Sequence, residues 1–112
     1  MGSLAAGAVV LVPFPFSDLS QSNLRPAVVA AGAGRGDWIL CQVTSNAYAD
    51  AGALPLEDGD FRQGGLRVAS FARPTKLFTA HESLFVAEVG QLRDESLNRI
   101  IDRIIAAFGR RP

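Results

Sequence analysis

Few side chains in this 112-residue sequence have the chemistry of a reactive site, and their scarcity narrows the choices. It holds one cysteine, Cys41, and one histidine, His81. One of each cannot complete a four-ligand zinc site. Cys41 ends the apolar run Trp38-Ile39-Leu40-Cys41, where a thiol is expected to be buried and inert. His81 falls in Thr79-Ala80-His81-Glu82-Ser83, which reads as a surface turn between short strands. Gly32-Ala33-Gly34-Arg35-Gly36 lacks the lysine of a phosphate loop and leads into a strand. Asp58-Gly59-Asp60 lacks the spaced ligands of a calcium loop and reads as a solvated turn. What remains is Arg25, in Leu24-Arg25-Pro26-Ala27-Val28-Val29, and the polar run Thr44-Ser45-Asn46. Hydroxyl and amide groups at a strand end suit ligand binding, though turn capping is the plainer reading of their composition. The residue types alone leave both open.

These groups need a frame. Ala8 to Val12 is a β-type run that ends in Pro13-Phe14-Pro15-Phe16. Proline donates no backbone hydrogen bond, so the chain must leave the sheet there and show its rings near Arg25. Ala27–Ala31 and Trp38–Val43 read as a hairpin closed by the glycine-rich turn. Their unbroken apolar character predicts strands covered on both faces. Asn46–Gly65 is a long connection with a short strand near Leu54–Leu56. Connections of this length are often functional. Leu66–Phe71, Lys76–Thr79 and Leu84–Val89 are the further predicted strands, the last closed by Gly90. Leu97, Ile100, Ile101, Ile104, Ile105 and Phe108 then recur at helical spacing. Asp94 is the predicted N-cap and Gly109 the stop. The wide apolar face is expected to pack on the core, with a dimer contact as the other use. The fold class is mainly β with a C-terminal α-helix, in one domain over residues 1–112.

Apolar residues make up 48% of the chain, enough for a modest core without staples. With 11 basic and 11 acidic residues the net charge is zero. That argues against a protein that coats nucleic acid through phosphates alone. It leaves room for a compact site that grips a few nucleotides with one or two arginines. No segment reaches the roughly 20 apolar residues needed to span a membrane. Met1–Gly7 has no basic region, so no signal peptide is expected. A lone cysteine fits a reducing, cytoplasmic setting.

Four stretches taken together carry a resemblance. They are Val9-Val-Leu-Val-Pro-Phe-Pro-Phe-Ser-Asp-Leu19, Leu24-Arg-Pro-Ala-Val-Val29, Ile39-Leu-Cys-Gln-Val-Thr-Ser-Asn46 and Lys76-Leu-Phe-Thr79. In this order and spacing the chain resembles the PemK/MazF toxins of toxin–antitoxin modules. Each motif is weak alone; four in order over nearly the whole chain are fairly specific. The resemblance implies a small SH3-like, CcdB/MazF-like barrel that forms a homodimer. It implies a sequence-specific endoribonuclease on single-stranded RNA, with no metal or other cofactor, held inactive by a cognate antitoxin. The family's arginine maps onto Arg25 and its threonine onto Thr44, with Ser45 beside it. Arg25 would clamp the charged phosphoryl oxygens, and Thr44 would position the 2′-hydroxyl or the phosphate. Phe16 would stack on unpaired bases, while Asp18, Ser20, Gln21, Asn23 and Asn46 would bond to their edges. Phe14 is expected in the core. One departure stands out: Gly7-Ala8 replaces the family's frequent Gly-Asp, with a local structural effect expected. The alternatives are a CcdB-like gyrase poison that acts by protein contact, and a barrel that binds RNA or antitoxin without cutting.

Overall fold

The computed structural model describes residues 4–13, 24–46 and 50–109. Seven antiparallel strands and one helix account for most of them. In chain order they are β1 (Ala8–Pro13), β2 (Leu24–Gly34), β3 (Asp37–Thr44), β4 (Leu54–Leu56), β5 (Phe61–Gly64), β6 (Ser70–His81), β7 (Ala87–Leu92) and α1 (Asp94–Phe108). The sheet order is β4-β6-β3-β2-β1-β7-β5. The sheet curls into a half-barrel with short strands, β4 and β5, at its two edges. Short edge strands limit unwanted pairing with other chains.

Strand alternation explains why the apolar runs have no polar face. Val9, Val28, Cys41 and Val43 point to one core, together with Leu56, Ala72, Leu92 and Ile100. Ala8, Val10, Val12, Ala27, Val29 and Leu40 point to the other side, against Leu4, Trp38, Phe78, Ala80 and Phe85. The central strands β1, β2 and β3 are therefore covered on both faces, as their composition predicts. α1 lies over the first core, with Ile100 fully buried and Leu97 and Ile104 half-buried beside it. The end of its apolar stripe is uncovered: Ile105 is 62% and Phe108 72% exposed.

Several boundaries differ from the expectation. β2 starts at Leu24, so Arg25 lies in a strand, opposite Val12 of β1, and not at a loop end. Pro13 ends β1, where the missing donor costs least. The predicted Leu66–Phe71 and Lys76–Thr79 are replaced by one strand, β6, and Leu66–Ala69 lies outside it. Pro74 hides this continuity. It falls where the β3–β6 register slips, between Cys41↔Leu77 and Val43↔Ala72, so Gln42 alone spans what Arg73–Lys76 covers. A bulge of this kind tolerates proline.

β7 runs from Ala87 to Leu92 where Leu84–Val89 is predicted; Glu82–Leu84 forms a single 3-10 turn instead. Gly90 is thus inside a strand. A Cβ there would press on the Phe61 ring at 2.8 Å. β5, which the sequence hides, pairs with this segment through Gly64↔Gly90. Gly64 has φ +70 and no room for a side chain against the Val89 carbonyl.

The N-cap of α1 is Arg93 and not Asp94, and no side chain caps it. The Arg93 N–H instead donates to the Asp60 carbonyl at 2.8 Å. Asp94 and Glu95 occupy the first turn, where negative charge suits the helix dipole. Among the described residues no helix is long and apolar enough to cross a membrane.

Candidate functional site

Three strand ends meet around Arg25. In the β2–β3 pair Ala27 faces Gln42, so Arg25 and Thr44 lie two steps further toward the same open end. Thr44 in turn faces Phe71, at the start of β6. Backbone pairing therefore fixes both residues. Together they line a cleft of about 350 Å³ with Leu24, Pro26, Val43, Ser45, Val68 and Ser70.

Arg25 is exposed at this cleft. Among the described residues it has no carboxylate partner, whereas Arg62, Arg73, Arg93 and Arg99 each have one. An unpaired guanidinium beside hydroxyl groups can receive an anion in its planar fork of donors. Thr44 does two things. Its Oγ1 accepts the Asn46 N–H at 3.0 Å, so turn capping is real. A hydroxyl still has its own proton to donate and a second lone pair. Capping fixes Thr44 without using it up.

The structure brings together three of the sequence candidates, Arg25, Thr44 and Ser45, and sets Asn46 next to them through the Thr44 hydroxyl. Phe16, Asp18, Ser20, Gln21 and Asn23 lie outside the described residues, as does Phe14. Ser70 and Val68 escaped the sequence reading. Ser70 is buried at the cleft floor and donates to the Val68 carbonyl at 2.9 Å. Leu24 and Val68, 45% and 63% exposed, add apolar surface to the same cleft. Nothing in the sequence separates Ser70 from any other strand serine.

The other reactive groups are committed elsewhere. Burial pushes the Cys41 thiol up from 9.0 to about 12, against a lowering contribution from its bond to the Arg73 carbonyl at 3.1 Å. Such a thiol is no nucleophile at neutral pH. His81 is exposed and caps the 3-10 turn, with Nδ1 accepting the Ser83 N–H at 3.0 Å. Its ring lies where a side chain at Gly36 would sit, which holds the Arg35–Gly36 hairpin turn to the end of β6. No cluster of three or more His, Cys, Asp or Glu suited to a metal ion occurs among the described residues. A larger hollow, about 630 Å³, lies elsewhere, lined mainly by Val10, Trp38, Phe85 and Val86. The Trp38 Nε1–H donates to Glu82 in that hollow at 2.9 Å, and among the described residues no lysine or arginine lines it. Size alone does not make it the better candidate for an anionic ligand.

Comparison with known proteins bears on this geometry. Residues 5–108 match the model of the PemK-like, MazF-like toxins of type II toxin–antitoxin systems. The chain belongs to this family. No curated protein matches it by sequence. Solved structures agree on the fold at low identity. An endoribonuclease in complex with its cognate antitoxin from a Mycobacterial species is 12% identical, with TM-score 0.72 and all of both chains covered. MazF in a MazE–MazF structure from Deinococcus radiodurans is 19% identical, with TM-score 0.73 over 95% of this chain and 96% of the other. The Mycobacterium tuberculosis toxin MazF-mt6 is 14% identical, with TM-score 0.69 over 90% and 95%. Across so wide a sequence distance the PemK/MazF architecture is retained.

Proposed function

We propose that this PemK/MazF-family toxin is a metal-independent endoribonuclease that cuts single-stranded RNA, and that Arg25, Thr44 and Ser45 form its reactive site. One observation carries the reading: Arg25, exposed and without a carboxylate partner among the described residues, shares a cleft with the hydroxyls of Thr44 and Ser45 at the end of a paired strand. The family membership supports it. So does the likeness to the Mycobacterial endoribonuclease bound to its antitoxin.

The chemistry follows from what the cleft holds. In single-stranded RNA a 2′-hydroxyl can attack the adjacent phosphorus. The new O–P bond forms as the bond to the 5′-oxygen breaks. The products are a 2′,3′-cyclic phosphate and a 5′-hydroxyl; the proton leaves the 2′-oxygen and one returns to the 5′-oxygen. Charge builds on the phosphoryl oxygens, where Arg25 offers two parallel donors. A guanidinium is a poor proton donor, so Arg25 acts as a clamp and not as a general acid. Thr44 orients the 2′-hydroxyl or the phosphate, and Ser45 assists. Asn46 and the residues 16–23 then read the bases. The active unit is a homodimer, and a cognate antitoxin silences it by competing for the groove around Arg25.

The test is direct. The protein should cut a mixed-sequence single-stranded RNA in EDTA and leave cyclic-phosphate and 5′-hydroxyl ends. An inert preparation that blocks gyrase supercoiling would instead favour the CcdB-like alternative.

A further inference from the structure

Among the described residues the well-exposed large apolar side chains are Leu24, Val68, Leu84, Val86, Ile105 and Phe108. Leu24 and Val68 both line the cleft that holds Arg25. A single exposed apolar residue needs no explanation, but two in one cleft with a cation set a chemical requirement. A bare phosphate calls for donors. Apolar surface beside a guanidinium suits a ligand that is anionic at one end and flat and apolar at the other, as a nucleotide is. At about 350 Å³ the cleft is at the small end for a ligand of that size. Val68 is also held in place. It lies between β5 and β6, in a segment pinned on both sides. Before it, the Gly65 N–H donates to the Val89 carbonyl at 3.1 Å, and Leu66 packs partly buried on the first core. After it, buried Ser70 pairs with Leu56 of β4, and its hydroxyl donates to the Val68 carbonyl at 2.9 Å. Leu24 is fixed by its pairing with Pro13 of β1. Apolar surface presented on a segment so held is preorganised, because binding to it orders little that was free.

We infer that Val68 is a specificity-determining residue of the Arg25 site: its side chain is the apolar wall on which one base beside the cleaved phosphate packs, and Ser70 positions that wall. This rests on the nuclease reading above and deepens it. Arg25 and Val68 line one small cleft, so a nucleotide whose phosphate meets Arg25 brings its remaining parts against Val68. Ribose is common to every nucleotide and rimmed with hydroxyls, so the apolar wall meets the face of the base. Such packing is the same in the bound substrate and in the transition state. It therefore acts on how tightly RNA is held and which base is accepted, and not on the chemical step.

Steady-state cleavage by wild type, Val68→Ala, Val68→Ile and Ser70→Ala tests it. The substrates are one short single-stranded RNA and two versions of it, each with an abasic ribonucleotide on one side of the cut phosphate. Val68 is 63% exposed, so its substitution leaves the core intact. On the intact RNA, Val68→Ala is expected to raise KM about fivefold, from the burial lost with two carbon atoms, and to leave kcat within about twofold. Val68→Ile should keep the wild-type KM, and Ser70→Ala should raise it in the same direction as Val68→Ala. For wild type, removing the base at one of the two positions should raise KM by about fivefold or more. For Val68→Ala the same removal should cost at least about threefold less, because the partner is already gone. Equal abasic penalties for the two proteins at both positions would overturn the inference, as would a wild-type KM for Val68→Ala. Cleavage in either case would leave the nuclease reading standing. A wild-type protein that cuts no RNA would overturn that reading, and the role of Val68 with it.

Discussion

At the scale of single residues, the account turns on what each polar group is already doing. Thr44 caps a turn and lines a cleft, and those two uses predict different variants. Thr44→Ser keeps the hydroxyl and should retain cleavage close to wild type. Thr44→Val removes it and should lower kcat by about 10²-fold, the usual cost of deleting one positioned donor. Single-turnover cleavage distinguishes the two. That Arg25, Thr44 and Ser45 come together was legible from the flanking apolar runs and the family resemblance, and they do line one cleft. Whether Thr44 caps or binds was not legible, since both uses select the same residue type; the structure shows the capping bond and the cleft together. Ser70 was not legible at all. Its position depends on where β6 begins, and Pro74 disguises that strand as two.

At the scale of elements, α1 is held to the sheet by a polar staple as well as by Ile100. Asp60 accepts from the Glu57 N–H at 2.7 Å, the Ser96 hydroxyl at 2.8 Å and Arg99 at 2.7 Å. Burial alone would raise its pKa, but these three donors outweigh it and hold the carboxyl below its ordinary value. Asp50 is also lowered, by the Gly52 N–H first and Arg73 second. A lowered folded-state pKa means stability that is present above the unfolded value and lost as pH falls through the folded one. Thermal unfolding followed by circular dichroism should therefore show a flat Tm from neutral pH to about 5 and a decline below about 4. Asp60→Asn should lower Tm at pH 7 and flatten that decline. The helix period predicted α1 well, because Leu97, Ile100 and Ile104 do face the core. The N-cap was misplaced by one residue because the Arg93 N–H finds its acceptor in a distant carbonyl, which local capping rules cannot register. β5 escaped for a similar reason. It is a polar edge strand that exists through its pairing with β7, and Gly64 is the point of closest approach. Gly64→Ala should cost about 1–3 kcal/mol in denaturant unfolding, the usual cost of forcing a side chain into a left-handed backbone.

At the scale of the whole molecule, zero net charge on a nucleic-acid enzyme is a constraint with a measurable consequence. Four arginines are paired with carboxylates, and among the described residues Arg25 is the one cation that lines the cleft. Binding of a non-cleavable single-stranded RNA should lose affinity only gently with salt. At roughly 0.7 per phosphate contact, a plot of log affinity against log salt should fall with a slope of about 1–2. A slope beyond about 5 would mean a broad phosphate track that reaches well outside the cleft. On the proposed reading, specificity must then come from bases held in the cleft. The fold class was readable from the both-faces-covered strands and the change to helical period; the order β4-β6-β3-β2-β1-β7-β5 was not, because it rests on pairings far apart in the chain. The central claim is that Arg25 is the phosphate clamp of a metal-independent ribonuclease. Cut-site mapping on one long RNA in EDTA, with wild type and Arg25→Ala compared, tests it most directly. The expected result is discrete cuts at a short recurring sequence for the wild type and none for Arg25→Ala, with circular dichroism and dimer mass unchanged. Equal cutting by the two proteins would contradict it.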